Sequence, residues 1–154
     1  MLIERSGIDS NSRSRAEEMP NRGADGLGLT WPRVLLAGFF CFGGAMHFAL
    51  PALYAAIIPP WLPNAPLLVL ISGICEILGG LGVLHPRTRR LAGWGLIALL
   101  IAVFPANVHM LRLAYLNDST ALWKAALWLR LPLQLPVLWW VWRSAALPSA
   151  QPSR

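Results

Sequence analysis

LLVLISGICEILGGLGVL, residues Leu67–Leu84, is a run of apolar and small residues with a single charge, Glu76, in its middle. At a rise of about 1.5 Å per residue, a helix of this length approaches the ~30 Å hydrocarbon core of a bilayer. Working outward, Pro66 extends this run and three others resemble it: Arg33–Leu53, Leu91–Leu111 and Leu122–Trp142. The expected fold is therefore all-α, an integral membrane bundle of four antiparallel transmembrane helices joined by short connections.

Composition agrees with this expectation. The 154 residues are 56% hydrophobic and 13% charged, against roughly 25% charged in soluble domains. The formal net charge of +6 would suit nucleic acid in a soluble protein, but here the arginines gather at the ends of the apolar runs. That pattern fits anionic lipid head groups, so a lipid membrane is the expected partner and nucleic acid is not. Cys41 and Cys75 lie in different apolar runs and form neither a CxxC pair nor a disulfide framework. No zinc signature, phosphate loop or GxSxG elbow is present, so no metal site and no catalytic residue is expected.

Charge also predicts orientation. Arg33 precedes the first run, Arg87, Arg89 and Arg90 follow the second, and Arg143 follows the fourth, all on one side of the expected bundle. The connections on the other side, Leu53–Ala65 and Ala114–Ala121, contain only Asp118, with Arg112 and Lys124 flanking the second. The positive-inside rule then puts both termini in the cytoplasm. Trp31, Trp94, Trp139, Trp140 and Trp142 fall at the inner boundary and Trp61 and Trp123 at the outer one, as aromatic belts require, while Trp128 is expected to line the interior. Residues 1–30 mix five acids with four arginines and have few large apolar side chains, so they read as a disordered cytoplasmic tail. Residues 31–146 form the expected membrane domain and 147–154 a short C-terminal tail. Asn117-Asp118-Ser119 matches a glycosylation acceptor but reads more simply as a loop turn.

Polar residues inside these runs mark the candidate site, because a charge at bilayer depth is costly unless paired or hydrated. Counting about 1.5 Å per residue, Glu76 lies about 15 Å from the outer boundary, Arg130 about 12 Å, His47 about 9 Å, Asn107 about 6 Å and His109 about 3 Å. Arg130 and Gln134 are one turn apart and share a face; Ser72, Glu76, Gly79 and Gly80 share another. Gly43 and Gly44 lie one turn from His47 and allow close helix approach. Pro105, Pro132 and Pro136 each free a backbone carbonyl, which hydrocarbon tolerates only beside protein or a wet cavity. Together these features predict a small polar cavity opening outward, bordered by Glu76, Arg130, His47, Asn107, His109 and Gln134. Glu76 and Arg130 are expected either as a structural ion pair or as a pair that also holds a ligand. The two histidines, on separate helices, are also a pair that haem would use, but no further signature accompanies them. The proline-rich segment Ile58–Pro63 is expected to lie rigidly on the bundle, with Trp61 as an interfacial anchor or the segment as a lid.

Six motifs in order, Phe42-Gly-Gly-Ala-Met-His47-Phe48, Ile58-Pro-Pro-Trp61-Leu-Pro, Ser72-Gly-Ile-Cys-Glu76-Ile-Leu-Gly-Gly80, Arg89-Arg-Leu-Ala-Gly-Trp94-Gly, Phe104-Pro-Ala-Asn107-Val-His109-Met and Leu129-Arg130-Leu-Pro-Leu-Gln134, resemble the DoxX-like family of bacterial membrane proteins. The resemblance covers about Val34 to Trp142. It implies a multi-pass protein of the bacterial inner (cytoplasmic) membrane, with a quinone as the implied ligand. The implied role is that of an accessory subunit of a redox complex, partnered by redox subunits, and not an enzyme on its own; a homo-oligomer is left open by the residues. Two other functions fit the residues: a small-solute or proton-coupled transporter, against which stands an inner half poor in polar residues, and a structural scaffold without a ligand.

Overall fold

The computed structural model describes residues 30–146. The expected tails therefore lie, apart from Thr30, outside the described residues. Every regular element among those described is helical: α1 Trp31–Ala49, α2 Pro51–Ala56, α3 Ala65–Gly82, α4 Arg89–Leu116, α5 Ala121–Val141 and a closing π-helical turn, Trp142–Ala146. Three of them, α1, α3 and α4, are long and apolar enough to cross a membrane. The run expected as a fourth crossing is α5, which has the length but includes Lys124, Arg130, Pro132, Gln134 and Pro136 and is less apolar as a result.

Local chemistry explains where the helices begin and end. Proline stands at the start of α1 and α3, where its missing N–H costs nothing. Asn64, in the left-handed region with φ 50°, caps α3 by accepting from the Leu67 amide at 3.3 Å. Thr120 does the same for α5 through Trp123. The first run was expected to continue to Leu53, but α1 ends at Ala49 because Pro51 lacks the amide proton the ladder needs. Residues 51–56 re-form as the separate short helix α2.

Each helix packs chiefly on its neighbour in sequence, α1 on α3, α3 on α4 and α4 on α5. α1 and α3 approach most closely where glycine faces glycine. A Cβ on Gly44 would stand 2.7 Å from the Gly73 carbonyl oxygen, and one on Gly73 would stand 3.1 Å from the Gly44 carbonyl oxygen. Only the absence of side chains permits that spacing. α1 and α5, by contrast, share no extended interface, and the gap between them is where the site opens.

One end of the bundle is closed. Leu36, Ala37 and Phe40 of α1, Val83, Leu96 of α4, Val141 of α5 and Ala145 of the π turn form a core in which no residue is more than 4% exposed. Arg33 Nε donates to the Ser144 carbonyl at 2.8 Å and Arg89 Nε to that of Val83 at 3.3 Å, which ties the start of α1, the π turn and the α3–α4 connection to the same core. At the other end a smaller cluster of Leu111, Ala114 and Leu127 joins α4 to α5. Around the outside, Leu78, Leu81, Leu91, Ile101, Leu129 and Leu135 are all more than half exposed. This apolar exterior suits contact with acyl chains.

Candidate functional site

A cavity of about 520 Å³ lies between α1 and α5, floored by α3 and α4. Phe39, Phe40, Leu100, Val103, Leu133 and Val137 supply apolar wall; His47, Tyr54, Glu76, Asn107, Arg130 and Gln134 supply polar groups. Phe39 is 53% and Leu133 50% exposed, and Arg130 is also exposed, so the cavity opens through the side of the bundle between α1 and α5. This lateral opening lies where α1 and α5 separate beyond the closed core.

Five of the six expected residues, Glu76, Arg130, His47, Asn107 and Gln134, share this cavity. His109 does not line it. Its ring is buried on the other side of α4, edge-on to Trp61 with centroids 6.2 Å apart, and its Nδ1 has no hydrogen-bond partner. Asn107 and His109 are two residues apart, about 200° around the helix, so they face opposite sides of α4.

The expected contact between Glu76 and Arg130 is not made. The ionisable group nearest Glu76 Oε1 is His47 Nε2 at 3.7 Å, and Arg130 faces the same space without pairing. The Gly44–Gly73 approach explains this, since it draws α1 against α3 while α5 is held away on the far side of α4. A Cβ on Gly43 would stand 2.8 Å from Glu76 Oε2, so this glycine makes the room the carboxyl group occupies.

Two hydrogen-bonded chains fix the polar wall. On the α1–α3 side, His47 Nδ1 lies 3.2 Å from the Val69 carbonyl and 2.9 Å from Ser72 Oγ, and that hydroxyl donates to the same carbonyl at 3.0 Å. On the α4–α5 side, Gln134 Nε2 donates to the Leu100 carbonyl at 2.6 Å and Asn107 Nδ2 donates to Gln134 Oε1 at 3.3 Å. Pro105 leaves the Ile101 carbonyl without its helical donor, and Gln134 reaches the preceding carbonyl, that of Leu100, not the freed one.

Sequence reasoning missed Tyr54, whose ring stacks on His47 with centroids 4.0 Å apart. The break at Pro51 is the signal that would have found it, because the chain folds back there and brings residue 54 over the end of α1. Trp128, expected inside, is 56% exposed and donates to Tyr115 Oη at 3.1 Å on the outer surface. The proline segment is anchored by fully buried Pro59, while Trp61 is 67% exposed. Pro59 thus seats the segment on the bundle.

A family model described as a domain of unknown function, DUF8561, matches residues 36–145. The chain belongs to that family. The matched region starts at Leu36 and ends at Ala145, two residues of the closed core, so it coincides with the packed bundle. No curated protein and no solved structure matches the chain.

Proposed function

We propose that this DUF8561 protein is a four-span protein of the bacterial inner membrane, with both termini cytoplasmic, whose lateral cavity binds a polar-headed lipophile of the quinone class. In this reading it serves as a non-catalytic subunit of a redox-linked complex. The observation that carries the proposal is an apolar-walled cavity, open through the side of the bundle, with an acid, a base and two amides gathered on its inner wall. A ligand dissolved in the bilayer enters such a cleft without crossing water, and its head group meets those polar side chains.

The resemblance to DoxX-like proteins supports the quinone assignment, and the arginines at one end support the orientation. α5 has 21 residues, about 31 Å of helix, which is long enough for the fourth crossing despite its polar content. Arg130 and Gln134, two of the polar residues that lower its hydropathy, line the cavity.

Saturable, Glu76-dependent quenching of tryptophan fluorescence by a short-chain quinone or quinol, in folded protein, tests the ligand. Absence of any saturable signal with either would overturn the cavity reading. Topology is tested in the Cys41→Ala, Cys75→Ala background by placing a reporter at Arg87→Cys. Labelling of intact cells by an impermeant maleimide would reverse the orientation.

A further inference from the structure

The direction of the two hydrogen-bonded chains sets what the cavity asks of its ligand. Each chain starts on a main-chain carbonyl, which can only accept. The Val69 oxygen lies 3.2 Å from His47 Nδ1, so that nitrogen carries the ring proton, and Ser72, whose own proton goes to Val69, accepts from it. In the neutral ring Nε2 is then a bare lone pair on the cavity wall, 3.7 Å from Glu76 Oε1 and beyond hydrogen-bond reach of it. On the opposite side, the Leu100 carbonyl requires the amide nitrogen of Gln134, which turns Gln134 Oε1 toward Asn107 Nδ2. Asn107 Oδ1 is left as an acceptor without a partner, while each amide nitrogen keeps a second N–H.

Two independent chains, anchored on α3 and α4, thus end in the same way. His47 Nε2 and Asn107 Oδ1 offer lone pairs, the Glu76 carboxyl adds more, and Arg130 with the second N–H of each amide supplies donors. Tyr54, with a hydroxyl that can act either way, completes the polar lining. Such a wall is satisfied by a head group bearing an O–H whose oxygen also accepts. A head group with carbonyls alone leaves His47 and Asn107 without partners in a largely apolar space, where an unmet acceptor is costly.

We propose that the cavity selects hydroxylated aromatic head groups, a phenol or the reduced dihydroxy form of a quinone, over the corresponding quinone or ether. The inference rests on the cavity being a lipophile site, and it adds the chemical class of the occupant.

Isothermal titration calorimetry of the full chain in detergent, with para-hexylphenol, its methyl ether para-hexylanisole, and hexyl-benzoquinone, separates the cases. The three share an alkyl chain and a ring and differ in whether they can donate. The phenol is expected to bind at least about tenfold more tightly than either of the others, the equivalent of one well-made hydrogen bond. Affinities within threefold of one another, or a tighter ether or quinone, would overturn the selection while leaving a lipophile site in place. No saturable heat from any of the three, with the protein helical and monodisperse, would remove the site and the inference together. His47→Phe keeps the ring contact with Tyr54 and removes the lone pair, so the advantage of the phenol should fall by threefold or more. Retention of the full advantage in that variant would show that His47 is not the acceptor. The ligand series on the unaltered chain decides the question without the variant.

Discussion

The closed end and the cavity half are built from the same long helices but packed in opposite ways. At the closed end, Leu36, Val83, Leu96 and Val141 are at most 1% exposed, and α1, α4, α5 and the π turn all meet there. Beyond it α1 and α5 separate, Phe39 and Leu133 on their facing sides are half exposed, and polar side chains appear on the inner wall. Stability is concentrated where the side chains are aliphatic, and ligand chemistry is available where packing is given up. A lipid-embedded bundle gains little from burying one aliphatic chain against another, so close packing and polar satisfaction determine where each half begins.

The harshest way to break this division is at the α1–α3 contact both halves depend on. Gly44→Leu would drive a side chain into the Gly73 main chain, which cannot move aside. A loss of about 3 kcal/mol or more is expected, toward the upper end for overpacking, measured as failure to recover monodisperse protein or as a large fall in melting temperature. A melting temperature near that of the parent would show that the helices are free to separate there.

Next in size comes truncation on either side of the division. Leu96→Ala removes a side chain that is 1% exposed at the closed end and should cost about 2–4 kcal/mol. Leu133→Ala, at the cavity mouth, should cost under about 1 kcal/mol while weakening ligand affinity. Thermal unfolding and ligand titration on the two variants should therefore rank them in opposite orders. Equal stability losses would mean that the cavity half is as tightly packed as the core.

Glu76→Gln sharpens the comparison from the ligand's side. The amide keeps the volume and removes the acid, so folding should be nearly unchanged while affinity for the proposed quinone-class ligand falls about tenfold, a difference of about 1.4 kcal/mol. A change in melting temperature without a change in affinity would return Glu76 to a purely structural role.

Much of this was legible in the chain, because hydropathy reports length and helical periodicity reports which residues share a face. The run around Glu76, its isolation, and the shared faces of Arg130 with Gln134 and of Ser72 with Glu76 all follow from spacing. What spacing does not report is how one helix is rotated and raised against the next. Glu76 therefore found His47, not Arg130, and His109 turned away from the cavity that Asn107 faces two residues earlier. Gly73 and Gly44 set that rotation, and their pairing across α1 and α3 is a three-dimensional fact with no local signature. Apolar composition likewise marked α5 less strongly than its neighbours, since Arg130 and Gln134, which line the cavity, dilute its hydropathy together with Lys124.

The finest test sets two adjacent glycines against each other. Gly43 and Gly44 are one residue apart, yet a Cβ on Gly44 meets main chain and one on Gly43 meets only the end of the Glu76 side chain, at 2.8 Å. Main chain held in a helix pair cannot yield, whereas a carboxyl group beside an open cavity can rotate away. Gly43→Ala should accordingly leave stability within about 0.5 kcal/mol and act on the site instead. It would push the carboxylate away from its place near His47 and shift ligand affinity by a few fold. If Gly43→Ala destabilised the protein as much as Gly44→Ala, the carboxyl group would have to be locked in place, and the cavity beside it would not be free space for a ligand.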